Sequence, residues 1–175
     1  MNVDVQIRAC HGADLNALEG LYPAAFPDED LLPLLRALFD EKDEVASFVA
    51  ISDGALVGHC AVTRCRLEEC GQMVGLLGPV AVAPAFQRQG IGTAIIEEAL
   101  DHMKISGAMQ VHVLGDPAYY GRFGFAPDRN VKAPYALPPE WRDGWQSIRL
   151  QGEGRTLKGT LIVPRPWRER RLWAP

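Results

Sequence analysis

The sequence predicts a single domain of mixed α/β class, with a central sheet flanked by helices. Three observations carry that prediction. Segments of period-two alternation are interleaved with segments of helical periodicity along the chain. Asp53-Gly54 joins two strand-like segments as a tight hairpin would. A polar, glycine-containing turn, Gln87 to Gly92, follows an apolar segment and opens a helical one. At 175 residues with 47% apolar content, the chain is long enough for a real core.

Val3 to Arg8 alternates and reads as the first strand. Asp14 begins a helix carrying Leu15, Leu18, Leu21 and Tyr22, with its stop expected near Pro23, which lacks the N–H that continues a helix. Asp30 reads as the cap of a second helix carrying Leu31, Leu34, Leu35, Leu38 and Phe39. Ala46 to Ser52 and Ala55 to Cys65 are the hairpin strands, and Gln72 to Val82 is the next strand, ended by Pro84. The helix behind the glycine turn carries Ile95, Ile96, Ala99, Leu100 and Met103 and runs to about Ser106-Gly107. Met109 to Leu114 is again a strand. Pro117 opens a short helix through Tyr120 and Phe123, and Gly124-Phe125 starts another strand. Beyond a stretch marked by Pro134, Pro138 and Pro139, Gln146 to Leu150 and Thr160 to Val163 read as a late strand pair. Trp167 to Trp173 reads as an ordinary flexible tail.

Net charge is -4 and no basic stripe precedes the tail, which disfavours nucleic acid as a partner. No stretch approaches the roughly 20 apolar residues of a membrane helix, so no membrane partner is expected. The N-terminus alternates and has no signal-peptide core, and the expected location is cytoplasmic. Cys10, Cys60, Cys65 and Cys70 form no C-x-x-C pair and are not clustered as zinc ligands, so they read as small hydrophobes and no metal site is expected.

The glycine turn carries the chemistry. Glycine lets the backbone approach a phosphate closely, because no Cβ intervenes. The first turn of the following helix offers unpaired N–H groups and a partial positive charge, and a pyrophosphate fits there. Arg88 adds a full charge at the mouth. A dinucleotide fingerprint needs a third glycine where Ile95 stands, and a P-loop needs a lysine that this turn lacks. A bare strand-to-helix turn is the remaining alternative, and two glycines flanked by Gln and Arg exceed what it requires.

The run from Leu77 through Gln87-Arg88-Gln89-Gly90-Ile91-Gly92 to Thr93 resembles the acetyl-coenzyme A segment of GNAT-type N-acetyltransferases. Ala118 to Phe125 resembles their second hallmark, Tyr-x-x-x-Gly-Phe, in family order and spacing. Together these cover about Val3 to Pro127, and Gly58-His59 with the C-terminal strand region looks like the bacterial YhbS-like branch. The resemblance implies a mostly antiparallel sheet with a splayed, cofactor-binding strand pair. It implies one acetyltransferase domain, with core 3–127, a strand extension 128–165 and a tail 166–175. It implies acetyl transfer from acetyl-CoA to a small-molecule or peptide primary amine, directly and without an acetyl-enzyme. The cofactor-binding residues it implies are Val80, Ala81, Val82, Gln87, Arg88, Gln89, Gly90, Ile91, Gly92 and Thr93. Tyr120 matches the family's general acid, and relatives are often homodimers.

Two departures stand out. Gly115-Asp116 occupies the place where many relatives carry an Asn, and Asp116 reads as a helix cap above a catalytic group. No acidic residue lies within Leu76 to Ala83, where some relatives place a base. Water, His112 or Asp116 remain for amine deprotonation, with a hydrogen-bonded core histidine the default for His112 and for His59. Asp28-Glu29-Asp30 reads equally as attractor for a cationic amine and as a solvated acidic cap. The competing reading is a domain that binds or senses acetyl-CoA without transfer.

Overall fold

The computed structural model describes residues 4–174, so Val3, assigned above to the first strand, lies outside the described residues. The chain forms two compact units. The first holds the residues up to Val62 together with Gly78–His102, and the second holds Thr63–Leu77 together with the residues from Met103 on.

In the first unit β1 (Gln6–Ala9) pairs antiparallel with β2 (Val45–Ser52), from Gln6 opposite Ile51 to Ala9 opposite Phe48. β2 turns into β3 (Ala55–Leu67) at Asp53 and Gly54, whose φ of 49° and 77° are the left-handed pair a two-residue hairpin requires. β3 ends in the second unit, and β4 (Met73–Val82) begins there and ends in the first. α1 (Leu15–Ala25) and α2 (Leu32–Asp40) cover one face, where Leu18, Leu21, Tyr22 and Leu35 pack with Val49 and Ala81. α3 (Ile91–Ile105) covers the other so closely that a Cβ on Gly58 would lie 2.6 Å from Ile95 Cδ1. Gly58 is therefore glycine for packing.

α1 ends at Ala25, two residues past Pro23, with Phe26 N–H closing on Tyr22 O at 2.8 Å. Proline deprives only the carbonyl of Glu19 of its helical partner. That residue is partly exposed. The N-cap of α2 is Leu31 rather than the expected Asp30, which stands one residue earlier and accepts from Leu32 N–H at 3.3 Å.

His59 is fully buried on β3, with Nδ1 2.6 Å from the Tyr22 hydroxyl. Burial pushes its pKa down to about 3, against a weaker opposite pull from Asp14. The unfolded chain therefore binds a proton below about 6.5 that the folded chain refuses, and stability falls as pH drops through that window. At pH 5, His59→Gln is expected to lower the pH slope of the unfolding free energy by one proton, about 1.4 kcal/mol per pH unit. Denaturant melts at several pH values check this, and an unaltered slope means that His59 titrates in the fold.

In the second unit β4 pairs in parallel with β5 (Gln110–Leu114), from Gly75 opposite Val111 to Leu77 opposite Val113. α4 (Pro117–Tyr120) follows, then β6 (Ala126–Pro127) and β7 (Val131–Lys132). β8 (Trp145–Arg149) lies antiparallel between β5 and β6. β9 (Gly159–Ile162) pairs with the end of β3 and, in parallel, with β7. The last two strands are thus not partners of each other, as the sequence suggested. The glycine-containing segment between them is too long to force a hairpin, and β8 matches all five residues of β5 instead.

The expected flexible tail is also corrected. Trp167 and Trp173 are 9% and 1% exposed. Trp167 Nε1 donates to Thr63 Oγ1 at 3.0 Å, and Trp173 Nε1 donates to Trp167 O at 2.9 Å. Trp173 also packs on Trp145, ring centroids 5.8 Å apart. Two indoles with satisfied N–H groups bury enough apolar area to hold a short segment in place. Among the described residues no helix is long and apolar enough to cross a membrane.

Candidate functional site

The glycine turn lies wholly in the first unit. Gln87, Arg88, Gln89 and Gly90 are exposed, while Ile91 is 2% exposed and pins the start of α3 beneath them. Arg88 and Gly90 take φ of 62° and 82°. The first helical bond runs from Ala94 N–H to Gly90 O at 3.1 Å, so the N–H groups of Ile91, Gly92 and Thr93 precede the helical ladder. No acidic side chain sits in the first turn of α3 to claim them. A Cβ on Gly90 would meet nothing within 4 Å, so the approach is open. Gln87 Nε2 donates to Val82 O at 3.0 Å and Gln89 Nε2 to Ala85 O at 3.1 Å, bracing the turn on its own backbone. The arrangement is an exposed set of donors at a helix start with a favourable dipole, suited to an anion.

Val80, Ala81 and Val82 lead into this turn. Ala81 is buried among the α1 and α2 side chains, and its half-buried neighbours take the opposite face of the strand. The Val82 carbonyl already accepts from Gln87. Just before them stand Gly78, at φ 137°, and Pro79, which has no N–H to give to a ladder.

In the second unit Asp116 Oδ1 accepts from Ala118 N–H at 2.9 Å and Pro117 takes the first helical position, which starts α4. Asp116 is therefore a cap. The helix continues as a 3₁₀ turn, Gly121–Phe123, closed by Gly124 at φ 102°. The two tyrosines differ in surroundings. Tyr119 lies beneath the Arg122 guanidinium, 4.6 Å from ring centroid to Cζ. The Tyr120 ring packs edge-on to Phe125 at 5.8 Å and rests against Gly115, where a Cβ would fall 2.5 Å from Cε2. Sequence reasoning missed Gly115 as the seat of Tyr120. Its only signal is a glycine at the end of a strand five residues earlier.

His112 is fully buried and stacked on Trp145 at 5.2 Å. Its Nε2 lies 2.9 Å from Gln110 Nε2, and its Nδ1 is 3.8 Å from Asp128 Oδ2. Burial pushes its pKa down to about 4 despite Asp128. It is a neutral core group without access to solvent. Burial also pushes the Cys10 thiol up to about 11 and the Cys60 thiol upward, so neither supplies a ready thiolate. Asp30 accepts from Leu32 N–H, and Asp28, Glu29 and Asp30 are all exposed.

The model of the Acetyltransferase (GNAT) family matches residues 15–125. The uncharacterised N-acetyltransferase YjhQ of Escherichia coli K12 is 35% identical over 161 residues, 88% of this chain and 89% of its own length. The uncharacterised N-acetyltransferase YhbS of the same strain is 31% identical over 114 residues, 64% of this chain and 68% of its own. The crystal structure of Escherichia coli YhbS in complex with CoA shares the fold, with a TM-score of 0.84 and 22% identity over 97% of this chain and 94% of that one. A GNAT family acetyltransferase from Brucella melitensis in complex with acetyl-CoA gives a TM-score of 0.75 and 26% identity over 95% of this chain and 99% of that one.

Proposed function

Since the chain belongs to the GNAT acetyltransferase family, we propose that it moves the acetyl group of acetyl-CoA to a primary amine by direct attack on the thioester. The observation that carries this reading is the open, acid-free helix start at the glycine turn. Gln87, Arg88, Gln89, Gly90, Ile91, Gly92 and Thr93 hold the pyrophosphate there, with Arg88 supplying a full charge. The pantetheine arm runs as an added strand on the backbone of Val80, Ala81 and Val82. Gln87 leaves the Val82 N–H for that purpose but shares its carbonyl.

The amine nitrogen bonds to the thioester carbon, and the carbonyl oxygen becomes an oxyanion held by the N–H of Val80 or Ala81. Collapse breaks the carbon–sulfur bond, and Tyr120 gives its phenolic proton to the leaving thiolate. A phenol, with an ordinary pKa near 10, is well matched to that base. The proton released by the attacking amine passes to water, because His59 and His112 are buried and neutral and Asp116 is a cap. The weak thiols of Cys10 and Cys60 agree with transfer without an acetyl-enzyme.

Calorimetric titration with acetyl-CoA, followed by thiol release against an amine panel, tests the reading. Micromolar binding with amine-dependent thiol release is expected, and no binding at millimolar donor overturns it. Gly115→Ala is expected to push the Tyr120 ring aside, lowering kcat about tenfold while acetyl-CoA affinity stays within about twofold. Equal losses in both quantities would show that Gly115 serves the fold rather than the ring. The absence of a carboxylate base within Leu76 to Ala83 is what favours the second reading, a binding or sensing domain without transfer.

A further inference from the structure

We propose that the acceptor amine carries an anionic group at its far end, held by the second unit in a cavity walled by Arg129, Lys132 and Arg142. This rests on the acetyl-transfer reading above. The cavity measures about 570 Å³, well inside the size range of small-molecule sites. Its one lining carboxylate, Asp128, is turned into its own loop. Asp128 Oδ1 accepts from the N–H groups of Asn130 and Val131 at 2.8 and 2.9 Å, and Oδ2 from the Ser147 hydroxyl at 2.7 Å.

Arg129 is engaged by Asp143 and by the Arg142 carbonyl. Lys132 and Arg142 are exposed, and neither forms an ion pair among the described residues. Their donors are unspent beside the apolar walls of Tyr135 and Leu137. The chain as a whole carries a net charge of -4, so a cationic concavity is not a by-product of bulk composition. An organic stem on the apolar wall with an anion at the cations satisfies both surfaces.

The cavity is tied to Tyr120 through backbone. Arg142 belongs to the 3₁₀ turn Pro139–Gly144, and the Gly144 carbonyl accepts from Gly115 N–H at 3.0 Å. Gln146 Nε2 clamps the same junction by donating to Gly115 O and Gly144 O, each at 3.3 Å. Gly115 in turn seats the Tyr120 ring. Two residues, one backbone crossing and one ring contact put the Arg142 α-carbon on the order of 15 Å or less from that ring. Amine and anion are thus separated by a chain of several atoms.

The test measures kcat/KM for 6-aminohexanoate, 4-aminobutyl phosphate, neutral 6-aminohexanamide and spermidine with acetyl-CoA. At least one anionic amine is expected to exceed the amide tenfold, and which one does so distinguishes carboxylate from phosphate. The double variant Lys132→Met, Arg142→Gln is expected to abolish the ratio, which within each protein cancels any change in folding or overall rate. An amide or spermidine that matches both anions, or a ratio that survives the double variant, overturns the inference. Calorimetry with the two anionic amines alone separates the two readings. Binding that the double variant loses, without acetylation of any amine, supports the anion site and removes acetyl transfer. Binding that the double variant retains, or no binding, counts against the anion site.

Discussion

Tyr120→Phe is expected to bind acetyl-CoA within about twofold of the wild-type affinity and to lose about 10²- to 10³-fold in kcat. The substitution keeps the ring that packs on Phe125 and Gly115. It removes the oxygen whose proton, on the proposed mechanism, goes to the departing thiolate. Uncompensated, that thiolate leaves as an anion, and the cost falls on the transition state rather than on donor binding. Calorimetry and thiol release on the same preparation read the two quantities separately. Full turnover in the variant removes Tyr120 from the mechanism, and a parallel loss of binding makes it a packing residue. Tyr119→Phe is the control, since Tyr119 is engaged by Arg122 instead.

The second large effect is on donor binding. Gly90→Glu is expected to weaken acetyl-CoA at least 100-fold, which is about 3 kcal/mol. Two causes add. A non-glycine residue at a φ of 82° carries strain of about 1 kcal/mol. The carboxylate also opposes the pyrophosphate and cancels the partial charge of the helix start. Gly90→Ala isolates the strain and should cost only several-fold. A Cβ there meets nothing within 4 Å, so both variants should lose only that backbone strain, about 2–4 °C in a thermal scan. Undiminished affinity in Gly90→Glu would mean that the donor binds elsewhere.

The legible parts of this molecule were local. Asp53-Gly54, the Asp116-Pro117 cap, the glycine turn and the bounds of α3 each depend on residues within one or two turns of chain. Pro23 marked the end of α1 to within two residues, because its missing N–H acts locally. The partners of β8 and β9 were not legible because strand pairing is chosen among edges distant in sequence, and alternation marks a strand without naming its neighbour. The burial of Trp167 and Trp173 was hidden for the same reason, their acceptors and packing partners lying on other segments. At the candidate site, the glycine turn and Tyr120 were marked by residue type, while Gly115 and the inward turn of Asp128 emerged only from three-dimensional packing.

The indoles divide the optical properties of this chain unevenly. Trp141, Trp145, Trp167 and Trp173 all belong to the second unit, and the first unit contains no tryptophan. Emission excited at the red edge of the aromatic band therefore reports one unit alone. Its shift on denaturation is blind to the glycine turn and to the α1 and α2 core. Monitoring the same transition by far-ultraviolet circular dichroism samples both units. Coincident midpoints would establish that they melt as one cooperative system, and separated midpoints would assign the fluorescent transition to the unit that carries Tyr120.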